Sequence, residues 1–102
     1  MGFLEFIFGA KKRQVEEYLK KDAVILDVRS HDEWNRGHVE NATHIPLPEL
    51  KDRVDEVKQL NKPVITCCES GVRSAKAAKF LNLHNIEATN GGGWLRLKNR
   101  LQ

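Results

Sequence analysis

Cysteine is scarce. The 102 residues hold two, Cys67 and Cys68, and they are neighbours. Joining sequence neighbours forces a strained ring that closes no useful loop, so a disulfide framework is excluded. Without a second pair they also make a poor structural zinc site, and His31, His38 and His44 read as surface or packing residues rather than metal ligands. Long apolar runs are missing as well, so no stretch approaches the length that spans a bilayer. Residues 1–9 are apolar, but Glu5 interrupts them and Lys11-Lys12-Arg13 follows rather than precedes them, the reverse of a secretory signal. Aromatics are few, with four Phe, two Trp and one Tyr, most of them inside apolar patterns. Seventeen Lys and Arg against 14 Asp and Glu give a net charge of +3, with both signs alternating along the chain. Nucleic-acid binding wants a basic face interleaved with aromatics, so no nucleic-acid partner is expected.

What is present fits one compact domain. Hydrophobic residues make up 40% and charged residues 30%, which is enough apolar surface for a core and too little length for two. The division expected is an apolar segment over 1–10 and a single domain over 11–102. The segment reads as an edge piece packing its phenylalanines on the domain, with weak membrane or partner docking as the sharper alternative. A membrane partner is not expected, and no part of the sequence reports an oligomeric state.

Residues 11–21 place Val15, Tyr18 and Leu19 at helical spacing, and Asp22 ends that helix. Ala23-Val24-Ile25-Leu26-Asp27-Val28 is a continuous apolar run, as expected of a strand buried on both faces of a parallel sheet. Ser30 can cap a short helix through Glu33, Trp34 and Asn35, which Gly37 stops. A brief strand at 42–46 leads to Pro48 and a helix with Leu50, Val54, Val57 and Leu60 on one face. Val64-Ile65-Thr66-Cys67 is a second buried strand, followed by a loop and a helix through Ser74, Ala75, Ala77, Ala78 and Leu81. A strand over 86–89, a flexible glycine turn over 91–93 and a closing helix from Trp94 complete the chain. Alternating strands and helices predict an α/β domain with helices on both faces of a mainly parallel sheet, binding its ligand beyond the carboxyl ends of the strands.

Chemistry belongs to the strand-loop-helix unit at Cys68. A cysteine there meets converging loop amides, the positive end of a helix and the charge of Arg73, and each favours the thiolate. Gly71 lets the loop adopt a positive φ and turn its amides inward. The sulfur is expected to be ionised and open to solvent.

The string Cys68-Glu69-Ser70-Gly71-Val72-Arg73-Ser74 resembles the C-x-x-G-x-R-S active loop of rhodanese domains. Other elements follow in family order: Asp27-Val28-Arg29, Gly37-His38-Val39, Asn41-Ala42 with Ile45-Pro46, and Gly92-Gly93. The resemblance runs from about residue 22 to the end and implies a rhodanese-like three-layer fold. It also implies a thiosulfate sulfurtransferase, in which Cys68 takes sulfane sulfur from a small anionic donor as a persulfide and hands it to a thiophilic acceptor. Cyanide, a small thiol or a protein thiol can be that acceptor, and no metal or organic cofactor is implied.

Glu69, Ser70, Gly71, Val72, Arg73 and Ser74 are then the substrate-binding loop, with Arg73 as the anion contact through its planar fork. The plainer reading of Arg73 is a salt bridge to Glu69 or Asp27. Glu69 opposes an anionic donor, which makes thiosulfate a poor natural substrate. Asp27 and Arg29 are expected to support the site mainly by bonding loops. Cys67 should point to the other side of the strand and pack, His38 should be structural, and Trp34 and Trp94 belong to the core or its rim. Tyrosine-phosphatase-type enzymes close a similar loop, but with five residues between Cys and Arg where this chain has four. The alternative that stays open is a sulfur carrier or a non-catalytic binding module of the same fold. With no export signal and a reactive thiol, the reducing cytoplasm is the expected location.

Overall fold

The structure, a computed structural model, describes residues 2–102, with the side chains of 3–8 left aside. The expected packing of the N-terminal phenylalanines therefore lies outside the described residues. The chain there is helical: α1 spans Phe3–Lys20, starting well before the predicted residue 11. The segment contains no proline, and its one internal glycine, Gly9, costs a helix only about 1 kcal/mol. Asp22 takes a φ of 61° and turns the chain out of the helix.

Four strands follow: β1 (Val24–Asp27), β2 (Thr43–His44), β3 (Val64–Cys68) and β4 (Ala88–Gly93). They form one sheet in the order β2-β1-β3-β4, and every pairing is parallel. Helices α2 (His31–Arg36), α3 (Val54–Leu60) and α4 (Val72–Leu83), with a 3-10 helix at Leu47–Asp52, make the crossovers, and α5 (Trp94–Arg100) follows the last strand. The predicted single helix through Leu50 and Leu60 is in fact two, divided at Arg53, whose φ of −120° is not helical. Leu50 and Val57 are buried, whereas Leu60 is exposed.

Side chains alternate along β3, so the sheet separates two cores. Val64 and Cys68 face α4 with Leu26, Ala77 and Leu81. Ile65 and Cys67 face α1 and α5 with Val15, Tyr18 and Leu97. This is the three-layer α/β arrangement the alternation of elements predicts. Among the described residues no helix is long and apolar enough to cross a membrane.

The glycine run is the main departure. Residues 91–93 are not a flexible turn but the second half of β4, and Cys68 pairs with Gly93 across an irregularity in the ladder. Close packing explains it. A Cβ on Gly91 would stand 2.6 Å from Ile65 Cγ2, and one on Gly93 would stand 2.8 Å from the Glu69 carbonyl oxygen. Only glycine lets this strand approach the sheet and the loop above it.

Candidate active site

The ends of β1 and β3 lie side by side, with Asp27 in register with Cys67. Beyond them Cys68 opens the loop, and Gly71 precedes α4 with a φ of 100°. That conformation turns the chain inward, and three groups converge on the Cys68 sulfur. The Gly71 amide donates at 3.0 Å, the Ser74 amide at 3.3 Å, and the Ser74 hydroxyl lies 3.3 Å away. Burial pushes the Cys68 thiol up. Hydrogen bonds from the Ser74 side chain and from the amides of Ser74, Gly71 and Ser70 outweigh it and hold the group below an ordinary thiol.

One expectation requires correction. Cys68 is not open to solvent: its relative exposure is 0%. The donors that stabilise the thiolate fold over the sulfur in place of water, and the exposed Ser70 and Val72 lie in the segment that covers it. Cys67 points into the opposite core, where burial and the nearby Asp27 charge raise its pKa further than Arg29 lowers it. It remains a neutral packing thiol.

Arg73 is also placed differently from the expectation of a free anion contact. Its fork holds Glu33 in a two-pronged pair at 2.7 and 2.8 Å, rather than Glu69 or Asp27. Glu33 is lowered to about 2, chiefly by that pair, against the opposing effect of burial. Glu33 also completes a capping box with Ser30, so it joins the start of α2 to the start of α4. The pair balances the Arg73 charge while using two of its five N–H donors.

Asp27 and Arg29 form a buried ion pair under the loop. Arg29 is 1% exposed, and its Nε and Nη2 meet the Asp27 carboxylate at 2.8–3.0 Å. Its remaining donors reach the carbonyls of Glu33 and Gly37 and, at 3.4 Å, the Glu69 carboxylate. The guanidinium also lies 4.5 Å over the Trp94 ring. Arg29 thus ties the end of β1 at Asp27 to α2, the turn after it and the loop. Trp34 stacks between His38 and His44 at centroid distances of 3.6 and 4.6 Å, so these histidines pack rather than gather at the cysteines. Among the described residues no group of three or more His, Cys, Asp or Glu could hold a metal ion.

Sequence reasoning missed two residues here. Glu33 falls within the short helix predicted after Ser30, and its spacing from Ser30 is the capping-box signal. Asn90 went unread, yet it ties the site together. Its Nδ2 donates to the Gly71 carbonyl at 3.0 Å, while its Oδ1 accepts the Gly92 amide at 2.9 Å and the Ser74 hydroxyl at 2.7 Å. No sequence spacing marks Asn90; only the parallel pairing of β3 with β4 brings it to the loop.

With this geometry in hand, comparison with known proteins is decisive. The Rhodanese-like domain family matches residues 11–97. The chain belongs to the rhodanese-like domain family. This rhodanese-like domain is similar to the Bacillus subtilis (strain 168) protein YqhL, at 41% identity over 61 residues covering 60% of the chain and 48% of the relative. It also resembles the tRNA uridine(34) hydroxylase of Cronobacter sakazakii, at 36% identity over 88 residues covering 70% of the chain and 24% of that protein. The domain thus spans about half or less of the length of these relatives. Among solved structures, a rhodanese-related protein from Thermoplasma volcanium superposes with a TM-score of 0.71 at 26% identity, covering 85% of each chain.

Proposed function

We propose that this rhodanese-like domain is a sulfurtransferase that carries sulfane sulfur on Cys68. The observation that carries the reading is the set of donors around that sulfur: two amides and a hydroxyl within 3.3 Å, on a thiol held below its ordinary pKa. A lowered pKa raises the fraction of Cys68 present as the nucleophilic thiolate, and the same donors can receive the negative charge of a persulfide.

With thiosulfate as donor, the Cys68 thiolate attacks the outer sulfur and a new S–S bond forms. The donor's own S–S bond breaks and its electron pair leaves on sulfite. In the second step an acceptor such as cyanide, or a thiolate, attacks the outer persulfide sulfur, and the electron pair returns to Cys68. Thiocyanate is the product with cyanide. Neither step uses a metal or an organic cofactor, and a reducing cytoplasm suits a thiol that must remain free. Because the sulfur is covered, the loop over 69–72 must yield when the donor enters. Glu69 extends from that loop into solvent, which disfavours thiosulfate relative to a less charged donor.

Mass spectrometry of the intact protein after thiosulfate treatment tests the reading. A gain of one sulfur atom that disappears in Cys68→Ser supports it, and an unchanged mass refutes it. Release of thiocyanate on adding cyanide then separates a turnover enzyme from a sulfur carrier. A second reading rests on the Cronobacter relative, whose name assigns it hydroxylation of a tRNA uridine. Oxygen incorporation into tRNA in the presence of this chain, with no sulfur gained from thiosulfate, favours that reading instead.

A further inference from the structure

An anionic sulfur compound approaching this site finds the nearby arginines engaged. Arg73 grips Glu33 with both prongs, and Arg29 is buried on Asp27 and Glu69. The positive charge beside the loop lies elsewhere. A cleft of about 700 Å³ runs between α1, α5 and the end of β4, and its wall includes Ser70, Gly71 and Val72 of the active loop. Lys11 and Lys12 line it from α1, and Arg96 and Arg100 from α5; no carboxylate is among the lining residues. Arg100 lies 3.9 Å from Glu16, while no ion pair among the described residues engages Lys11, Lys12 or Arg96.

The cleft floor is the glycine run of β4. Gly91 and Gly93 are required by packing against Ile65 and Glu69, but a Cβ on Gly92 would meet nothing within 4 Å. The backbone is therefore open to close approach by a ligand at that point. The volume falls within the range of small-molecule sites. No aromatic side chain lines the cleft, so it offers no platform on which nucleic-acid bases would stack.

We propose that this cleft holds the anionic body of the sulfur acceptor, a small-molecule thiol that carries two or more negative charges away from its reactive sulfur. The proposal rests on the sulfurtransferase reading and names its substrate class. Charge on the acceptor is recognised by Lys11, Lys12, Arg96 and Arg100, not by Arg73. The thiol end reaches Cys68 past the loop segment that the cleft and the site share. The acceptor thiolate attacks the outer sulfur of the Cys68 persulfide, the Cys68 thiolate leaves, and the acceptor departs as a persulfide. Charge is conserved throughout.

The persulfide is first formed with thiosulfate and quantified by mass, then mixed with acceptor thiols in a single turnover. A protein that takes up no sulfur fails the sulfurtransferase reading. A protein that takes up sulfur but ignores acceptor charge fails only this one. Mercaptosuccinate, mercaptoethanol and cysteamine provide a dianionic, a neutral and a cationic series, with rates compared per thiolate. Mercaptosuccinate should react about tenfold or more faster than cysteamine at low salt. The preference should collapse between roughly 0.02 and 0.5 M salt, in the presence of tripolyphosphate, and in K12Q/R96Q/R100Q. Should that variant fail to fold, the salt and tripolyphosphate arms on the wild-type chain still decide the question. Equal rates across the series, or a preference unchanged in the folded variant, overturn the proposal. So does a single-stranded oligoribonucleotide that blocks transfer at lower concentration than tripolyphosphate, because the cleft would then serve nucleic acid.

Discussion

Replacing Ser74 with alanine isolates the side-chain contribution to the thiolate. Ser74 is fully buried, and its hydroxyl has one hydrogen but two acceptors in reach, Cys68 Sγ at 3.3 Å and Asn90 Oδ1 at 2.7 Å. When Cys68 is a neutral thiol, the shorter bond to Asn90 is the better use of that hydrogen. When Cys68 ionises, the hydroxyl turns to the sulfur, and Asn90 Oδ1 keeps its bond from the Gly92 amide. A hydrogen bond to a charged group contributes about 1.5–3 kcal/mol. The bond surrendered at Asn90 places the net effect near the lower end, which is about one pKa unit. Ser74→Ala should therefore raise the Cys68 pKa by about one unit, with the Gly71 and Ser74 amides left in place. Ultraviolet absorbance of the thiolate across a pH titration reads this directly, since Cys67 is raised and stays protonated over the range. Stability gives a second readout. The folded pKa of Cys68 is depressed, so its contribution is full above the ordinary thiol value and is lost as pH falls through the folded value. Unfolding free energy should rise with pH across that window, and less steeply in Ser74→Ala. A titration that superimposes on the wild type would refute the donor cradle as the origin of the shift.

Three other outcomes follow from the same contacts. Glu33→Gln keeps a capping side chain but loses the pair to Arg73. Since Arg73 is partly exposed, the loss should be only about 1 kcal/mol at pH 7. Glu33 is depressed in the fold, so its contribution is present above the ordinary carboxyl pKa and lost as pH falls toward about 2; urea titrations at pH 7 and pH 2.5 should show the difference shrinking. Asp27→Ala leaves the buried Arg29 charge with only its longer contact to the exposed Glu69 and should cost about 3 kcal/mol, seen as a large drop in Tm. Cys67→Ala removes a buried sulfur from the α1 and α5 core and should lower stability by about 1 kcal/mol, while the mass gain on thiosulfate treatment persists.

The fold was legible where the sequence pattern is local. The apolar runs at 23–28 and 64–67 announced two central parallel strands, and Ser30, Gly37 and Asp22 marked helix ends that the structure keeps. The loop after Cys68 was legible because Gly71 and the residues around it are contiguous. Contacts between distant segments were not. Arg73 and Glu33 are forty positions apart, and no spacing rule pairs them. Gly91-Gly92-Gly93 reads as a turn because glycine weakens a strand. The clash of any Cβ at Gly91 with Ile65, a long-range fact, makes it strand. Exposure failed for a related reason. A low thiol pKa suggested an open sulfur, whereas the donors that lower it are the groups that cover it.

That last point joins the chemistry to the architecture. Polar donors close enough to hold a thiolate must replace its water, so Cys68 is activated and sheltered by the same three groups. Both arginines at the loop are already paired, Arg73 with Glu33 and Arg29 with Asp27 and Glu69, and the three carboxylates outnumber the two guanidinium groups. A loop with no spare positive charge cannot select among anionic partners. Selection therefore moves outward, to a surface that touches the loop without belonging to it. The cations of α1 and α5 beside Gly71 and Val72 occupy that position.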